Sequence, residues 1–334
     1  MNRLKYSVGL VCVVALLISA CGSSHNRLTI DVSGVDIPPV KIHRYDLDLF
    51  RANPANLRQD LEKLKPGFRF FLDTDLRDSS KLGQMKSYLE SPRNLEFHTA
   101  VSDRFKDLTT LENELTNAFR HLKFYYPGIK VPRVYTYISG GDYDYPVQFA
   151  DSVLLIGLDN FLGKDFKAYA IDGLPLYRIA RMTPDYIIPQ VVKVLESVII
   201  PPYPGNNVLE QMIETGKQIY FIQAMVPGTD LKLILGYSDA QYNWIVKNEA
   251  HVWSSIIENQ LLYSTDGRVI RSFFADGPFS TDFSAEAPAR MGEYIGFQIV
   301  KKFMENQPAV MLPALMEDKD YQKILTGSKY KPRK

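Results

Sequence analysis

The chain opens MNRLKYSVGLVCVVALLISACGSS, an apolar run that leads almost directly into a cysteine. Arg3 and Lys5 form a short positive region. Val8 to Ile18 is nearly unbroken apolar sequence, and Ser19 and Ala20 provide small residues before Cys21. This is the pattern of a secretory signal whose hydrophobic core is too short to span a bilayer comfortably. Ile18-Ser19-Ala20-Cys21 has the form of a lipobox, in which the cysteine takes a diacylglycerol and becomes the N-terminus after cleavage. The expectation is a signal peptide over residues 1–20, lipidation at Cys21 and a tether over residues 21–27. The consequence for folding is strong. The only other cysteine, Cys12, is discarded with the signal. The mature protein therefore has no disulfide, although an exported compartment permits them, and an apolar core must hold it together. The same count removes a cysteine nucleophile, a thiolate metal site and a redox dithiol.

Residues 28–334 are long enough for one large domain or two small ones. No internal repeat or low-complexity linker divides them, so a single globular domain is expected, ending in a basic tail from Lys329 to Lys334. The formal charge of +1 falls by two, to −1, once Arg3 and Lys5 are removed. No basic excess remains to attract nucleic acid. The 20 Tyr and 18 Phe point to an aromatic core.

Periodicity divides the domain into helix, a short β region, and helix again. Leu28–Val32 and Val40–Arg44 read as short strands around Gly34 and Pro38-Pro39. Residues 54–126 read as helix with breaks near Pro66-Gly67 and Ser91-Pro92. Leu108, Leu111, Leu115, Phe119 and Leu122 share one face. Val131–Ile138, Pro146–Ala150 and Ser152–Leu158 read as strands, with Gly140-Gly141-Asp142 as a turn. Thr183-Pro184-Asp185 has the form of a helix start leading to Ile200. Asn207 opens Val208–Met225. Ser238-Asp239-Ala240-Gln241 is a capping box, with Tyr237 and Tyr242 as its staple, opening a helix to about Tyr263. Pro288 opens another helix in which Gly292 and Gly296, four apart, let a second backbone come close. A last helix is predicted over Pro313–Leu325. The fold class is α+β, mostly helical, with a small central β-sheet packed with helices.

Chemistry is hard to find. The five histidines, His25, His43, His98, His121 and His251, share no helical turn, and no His-Glu-x-x-His is present. There is no Gly-x-Ser-x-Gly elbow, P-loop or dinucleotide fingerprint. Asp142, Asp144 and Asp151 have the wrong spacing for a calcium loop and read as solvated turn carboxylates. Glu210, Glu214 and Lys217 read as a solvated helix face with a local ion pair. His251 stands near Glu249 and Glu258. Glu249 shares a face with Ile245, Val252 and Ile256, which suggests burial beside a partner such as Arg290. No cofactor and no metal is expected.

Several segments in order resemble the gliding-motility lipoprotein GldB family of Bacteroidota. They are IHRYDLDLF at 42–50, LLIGLDNFLG at 154–163, YRIARMTPDYIIPQVV at 177–192, MIETGKQIYF at 212–221, LGYSDAQYNWIVKNEAHVW at 235–253, LLYS at 261–264, RMGEYIGFQIV at 290–300 and SKYKP at 328–332. That family is in turn similar to a set of predicted zinc peptidases, which implies a zincin-like fold for a GldB-like domain over residues 28–334. In those peptidases an edge strand precedes a His-Glu-x-x-His helix, and a later helix supplies a third ligand. By resemblance, Ser152–Leu158 is that strand and Pro184–Ile200 the metal helix. Glu214–Phe221 is the later helix, keeping Glu214, Tyr220 and Phe221. The metal motif should fall at Ile188–Val192, where Ile-Pro-Gln-Val-Val stands instead. Both histidines and the general-base glutamate are missing, Pro189 would remove a helix hydrogen bond there, and no activated water is available. The activity implied is none, and the degenerate cleft is expected around Glu214, Tyr220, Glu249 and Arg290.

The resemblance implies a non-enzymatic envelope lipoprotein, held to a membrane by its lipid, acting through protein partners and associated with gliding or type IX secretion. Gly22-Ser23-Ser24-His25 lacks the acidic residues usual after the cysteine of surface lipoproteins in that phylum, so an outer-membrane protein facing the periplasm is expected. The alternatives are a hydrolase using Glu214, Glu249 and His251, and a module that holds a peptide in the old cleft.

Overall fold

The computed structural model describes residues 27–280 and 283–332. The signal, Cys21, His25 and the tether up to Asn26 lie outside them, as do Arg333 and Lys334. The main elements, in chain order, are β1 (Ile42–Arg44), α1 (Leu57–Leu64), α2 (Ser79–Glu90), α3 (Pro92–Arg104), α4 (Thr109–Tyr125), β2 (Arg133–Tyr137), β3 (Val147–Ala150) and β4 (Val153–Gly157). They continue with α5 (Ile187–Ile199), α6 (Val208–Met225), α7 (Asp239–Glu258), α8 (Gly267–Phe274), α9 (Met291–Asn306), α10 (Leu312–Glu317) and α11 (Tyr321–Ser328). The outcome is the mostly helical α+β arrangement expected, with one small sheet.

The strands lie in the order β1-β2-β4-β3. β1 and β4 run parallel to β2, while β3 runs antiparallel to β4 through the register Val147–Ile156 to Ala150–Val153. Asp151 and Ser152 both take positive φ, at 50° and 64°, as a two-residue hairpin turn matched to strand twist requires. The edge strand is thus Val147–Ala150. Ser152–Leu158, expected at the edge, supplies instead the interior strand β4, which is buried throughout. A continuous apolar stretch suits a strand covered on both faces. Val134, Leu154 and Ile156 face the main core, which is built on α4, α5, α6 and α9. Tyr135, Val153 and Leu155 face a second layer with Leu57, Leu61, Phe68, Leu72 and Leu89. The sheet is therefore sandwiched between two helical layers.

Leu28–Val32 is not a strand. At the start of β1 the N–H of Val40 donates to Thr116 Oγ1 and that of Ile42 to Glu112 Oε1, both at 2.9 Å. With these donors committed to α4, the earlier segment has no ladder to join, and it buries Leu28 and Val32 as irregular chain. The α7 helix stops at Glu258 rather than near Tyr263. Gln260 turns left-handed, at φ 56°, and Leu261 N returns to Ile256 O at 2.9 Å, as in a Schellman termination. The last predicted helix is two, α10 and α11, broken where the Asp318 carboxylate accepts from Asp320 N (2.9 Å) and the Asp320 carboxylate caps Lys323 N (2.9 Å). Asn207 caps α6 and Ser238 closes its capping box with Gln241 as read. Tyr237 donates to Ala289 O (2.7 Å) and Tyr242 lies edge-on to Tyr294.

The tightest packing joins α6 to α9. A Cβ on Gly296 would stand 1.7 Å from Met212 O, and one on Gly216 would stand 2.3 Å from Gly296 C. The two backbones touch at glycine. Gly292, one turn earlier, makes room for the ring of Phe274. Gly296→Ala should destabilise the domain by about 3 kcal/mol or more, since main chain must move apart. Gly83→Ala, in exposed α2 with nothing within 4 Å of the added carbon, should stabilise by about 0.5–1 kcal/mol through helix propensity. Urea-unfolding midpoints of the two variants should move in opposite directions.

Candidate functional site

The α5 helix is the place to look for chemistry, because it packs against edge strand β3 and faces α6. It begins at Ile187, after a single 3₁₀ turn over Pro184–Tyr186, and Thr183 makes no side-chain cap. Pro189 therefore falls in the first helical turn, where its missing N–H costs little. It marks the start of the helix rather than breaking it. Ile187, Ile188, Pro189, Val191, Val192 and Leu195 are all buried. Ile188 and Val192, which occupy the positions of the two histidines in the resembled motif, are core aliphatics with no lone pair to offer. Among the described residues no three His, Cys, Asp or Glu side chains converge to hold a metal.

The four residues expected around a cleft do not meet. Gln218 of α6 donates to Glu196 of α5 at 3.0 Å, which sets the level of the two helices. Ile188 and Val226 line one cavity, so the N-terminal end of α5 meets the C-terminal end of α6. Glu214 lies on the other side of the Gln218 level, away from Ile188–Val192. Its carboxylate pairs with Lys217 (2.9 Å) and Lys319 (3.1 Å).

This is not the solvated face that the spacing suggested. Lys217 is only 1% exposed, donates also to Asp318 O and lies over the ring of Tyr321. Burial pushes its pKa down, against the pull of Glu214. The break between α10 and α11 leaves the Asp318 carbonyl free to receive it. Glu210 is held by Tyr203 OH, Asn206 N and Asn207 Nδ2, each at 2.9 Å.

Tyr220 is buried in the main core. Glu249 is paired, but not with Arg290. Its carboxylate accepts from Tyr294 OH (2.9 Å) and Tyr330 OH (2.8 Å), and burial first, then this carboxylate, raise both phenol pKa values. His251 is exposed. His43 stacks on Tyr135 and His98 on Phe50, while His121 bonds Asn117 O.

Arg290 belongs to a different cluster, which sequence reading missed. It caps the start of α9 in a left-handed conformation, at φ 58°. It pairs with Asp276 (3.1 Å) and Glu293 (3.1 Å) and donates to Leu235 O (2.6 Å). Arg181 reaches the other oxygen of Asp276 at 2.7 Å, and it packs so closely on Gly236 that a Cβ there would stand 2.6 Å from its Cδ. Beside this network is a cavity of about 210 Å³ lined by Asn160, Arg178, Arg181, Gln190 and Asp276. It adjoins a second of about 260 Å³ through Arg181.

The floor is held by Asp159, which is fully buried and accepts from Ser139 N (2.8 Å), Ser139 Oγ (2.7 Å) and Gly141 N (3.2 Å). Burial raises its pKa despite those bonds. The Ser139 hydroxyl spends its proton on Asp159 and accepts from Asn160 Nδ2 (3.2 Å). This leaves Asn160 Oδ1 buried without a donor. A carboxylate and an amide inside the apolar run LLIGLDNF were the available signal.

A larger cavity of about 650 Å³ opens at the start of α5, with an apolar wall of Phe105, Leu108, Ile188 and Val226 and a rim that includes Glu114 and Asp185. Burial, then the charge of Asp185, raise the Glu114 pKa.

The sequence profile of the family described as gliding motility protein GldB matches residues 25–332. The chain belongs to the GldB family. No curated protein and no solved structure matched. Membership makes this a lipoprotein of the cell envelope associated with gliding motility. No described helix is long and apolar enough to cross a membrane. In this GldB-family chain the polar groups around α5 form ion pairs and hydrogen-bonded networks, while the inner face of α5 is aliphatic.

Asp276 provides a test of the network. Burial acts to raise its pKa, but the hydrogen bond and charge of Arg181 and the charge of Arg290 prevail, and the net direction is down. A depressed carboxylate stabilises the fold above its ordinary value of 3.8 and loses that contribution as pH falls through the lower, folded value. Asp276→Asn should therefore reduce stability at pH 7 by up to about 1 kcal/mol, a modest figure because the group is partly exposed. The gap from the wild type should narrow in urea unfolding at pH 3.

Proposed function

We propose that the protein is a non-enzymatic, lipid-anchored component of the outer membrane, facing the periplasm and acting through protein contacts in the gliding-motility or linked type IX secretion machinery. The observation that carries this is the inner face of α5. Catalysis by a metal-activated water needs ligands and a base on that turn, and buried Ile188, Pro189 and Val192 stand there instead. The zincin-like ancestry of the fold is part of the proposal. It is supported by an antiparallel edge strand, β3, beside α5 and by the parallel strands behind it. On this reading the domain kept a peptidase scaffold and lost its chemistry.

A second reading is favoured by one observation. The cavity beside β3 and α5 offers guanidinium and amide donors from Arg178, Arg181 and Gln190, with an orphaned acceptor at Asn160. Such a cleft suits an extended polypeptide segment, which presents donors and acceptors in alternation. The cleft would then be one of the protein's contact surfaces.

Crosslinking in intact envelopes tests both. The wild type should give discrete protein adducts, resist protease added to whole cells, and lose its adducts when Cys21→Ser removes it from the membrane. Arg178→Ala combined with Gln190→Ala should weaken an adduct made through the cleft and spare the others. An absence of any protein adduct at native expression, or ready digestion of intact cells, would overturn the proposal.

A further inference from the structure

The described fold begins at Arg27, whose guanidinium donates to three main-chain carbonyls at the far end of α9. They are those of Met304, Gln307 (3.1 Å) and Val310 (2.6 Å). These bonds fasten the first residue of the domain to the turn between α9 and α10. That turn reads Gln307-Pro308-Ala309-Val310-Met311. Pro308, Ala309 and Met311 are exposed, Met311 at 53%, so the turn presents apolar side chains outward with no charge among them. Nearby, Tyr125 lies within range of the Arg27 charge, and Phe124, edge-on to Tyr125, exposes part of its ring.

Covalent geometry supplies the rest. Cys21 precedes Arg27 by six positions, and six residues at full extension reach at most about 20 Å. Lipid carried on Cys21 therefore lies no farther than this from Arg27, whatever path the tether takes. The surface around Arg27 is thereby kept within reach of the lipid that Cys21 carries. Apolar turn residues beside aromatic rings are the composition that partitions at a membrane interface.

We infer that the Pro308–Met311 turn rests on the lipid surface and is a second membrane contact that sets the orientation of the anchored domain. The occupant is lipid rather than protein because the tether fixes the distance to the bilayer and to nothing else. The inference rests on lipidation of Cys21, so its test reads the two separately.

Once Cys21 is acylated the mature chain has no other cysteine, and a cysteine introduced at Ala309 becomes its single reactive thiol. The lipidated Ala309→Cys protein, labelled with an environment-sensitive fluorophore, is reconstituted in phospholipid vesicles and floated. Ser80→Cys, on exposed α2 across the sheet from α9, is the comparison. At position 309 the emission should shift to the blue and be quenched several-fold more by nitroxide-bearing lipids than at position 80. Both sites are exposed, and far-ultraviolet circular dichroism should match the wild type. Floating protein with water-like emission at 309, or with a larger shift at 80, overturns the inference and leaves anchoring intact. Protein that fails to float, and whose Cys21 proves unmodified by mass spectrometry, overturns the anchoring reading and the inference with it.

Discussion

Helices α6 and α9 meet backbone to backbone at Gly216 and Gly296, and most of the other packing follows from that contact. With no disulfide available, the domain depends on apolar burial, and the closest approach in that burial is one no side chain could make. The contact sets α9 low against α6, so that Phe297, Val300 and Phe303 reach the main core. It also places Tyr294 where it can donate to Glu249 of α7, and Arg290, at the start of α9, within reach of Asp276. α11 then packs on α9, and the α10–α11 break presents the Asp318 carbonyl to buried Lys217 of α6. Two short polar networks and the last two helices are thus fixed by one glycine crossing.

Elements governed by local chemistry were legible in the sequence. Asn207 and Ser238 cap the helices they precede because their side chains satisfy N–H groups a few residues ahead. The β3–β4 hairpin follows from its two strands and a tight turn. The Gly292 and Gly296 spacing announced a close approach, although it could not say that Gly216 was the partner. What depended on long-range pairing was not legible. Leu28–Val32 has strand composition, yet α4 had already taken the β1 donors through Glu112 and Thr116. Lys217 looks like the cation of a local helix pair, and only the arrival of Asp318 and Tyr321 from the far end of the chain buries it. Glu249 shares its helix face with buried Ile245, Val252 and Ile256 yet is itself only half-buried, and Tyr294 and Tyr330, its donors, are distant in sequence. Phenols were a less obvious choice of partner than Arg290.

The same distinction governs the site. A missing motif is visible in one dimension: Ile188, Pro189 and Val192 declare that the α5 turn carries no ligand. The cavity beside α5 is visible only in three. Asn160, Arg178, Arg181, Gln190 and Asp276 come from separate loops and helices, and only Asn160, inside an apolar run, stands out in the chain. Glu214, the residue that resemblance singled out as a third ligand, is instead neutralised by two lysines on the opposite side of the Glu196–Gln218 level. Its charge is used to bury an ammonium group, which is a structural task.

On this proposal the scaffold works without metal-dependent catalysis. The most direct measurement is the metal content of the mature domain purified without added metal, combined with a peptide-cleavage assay in the presence and absence of chelator. The expected result is no stoichiometric zinc, no chelator-sensitive cleavage, and no change in either on Glu214→Ala or His251→Ala. Zinc bound at one equivalent and lost on either substitution, or cleavage abolished by chelator, would contradict it.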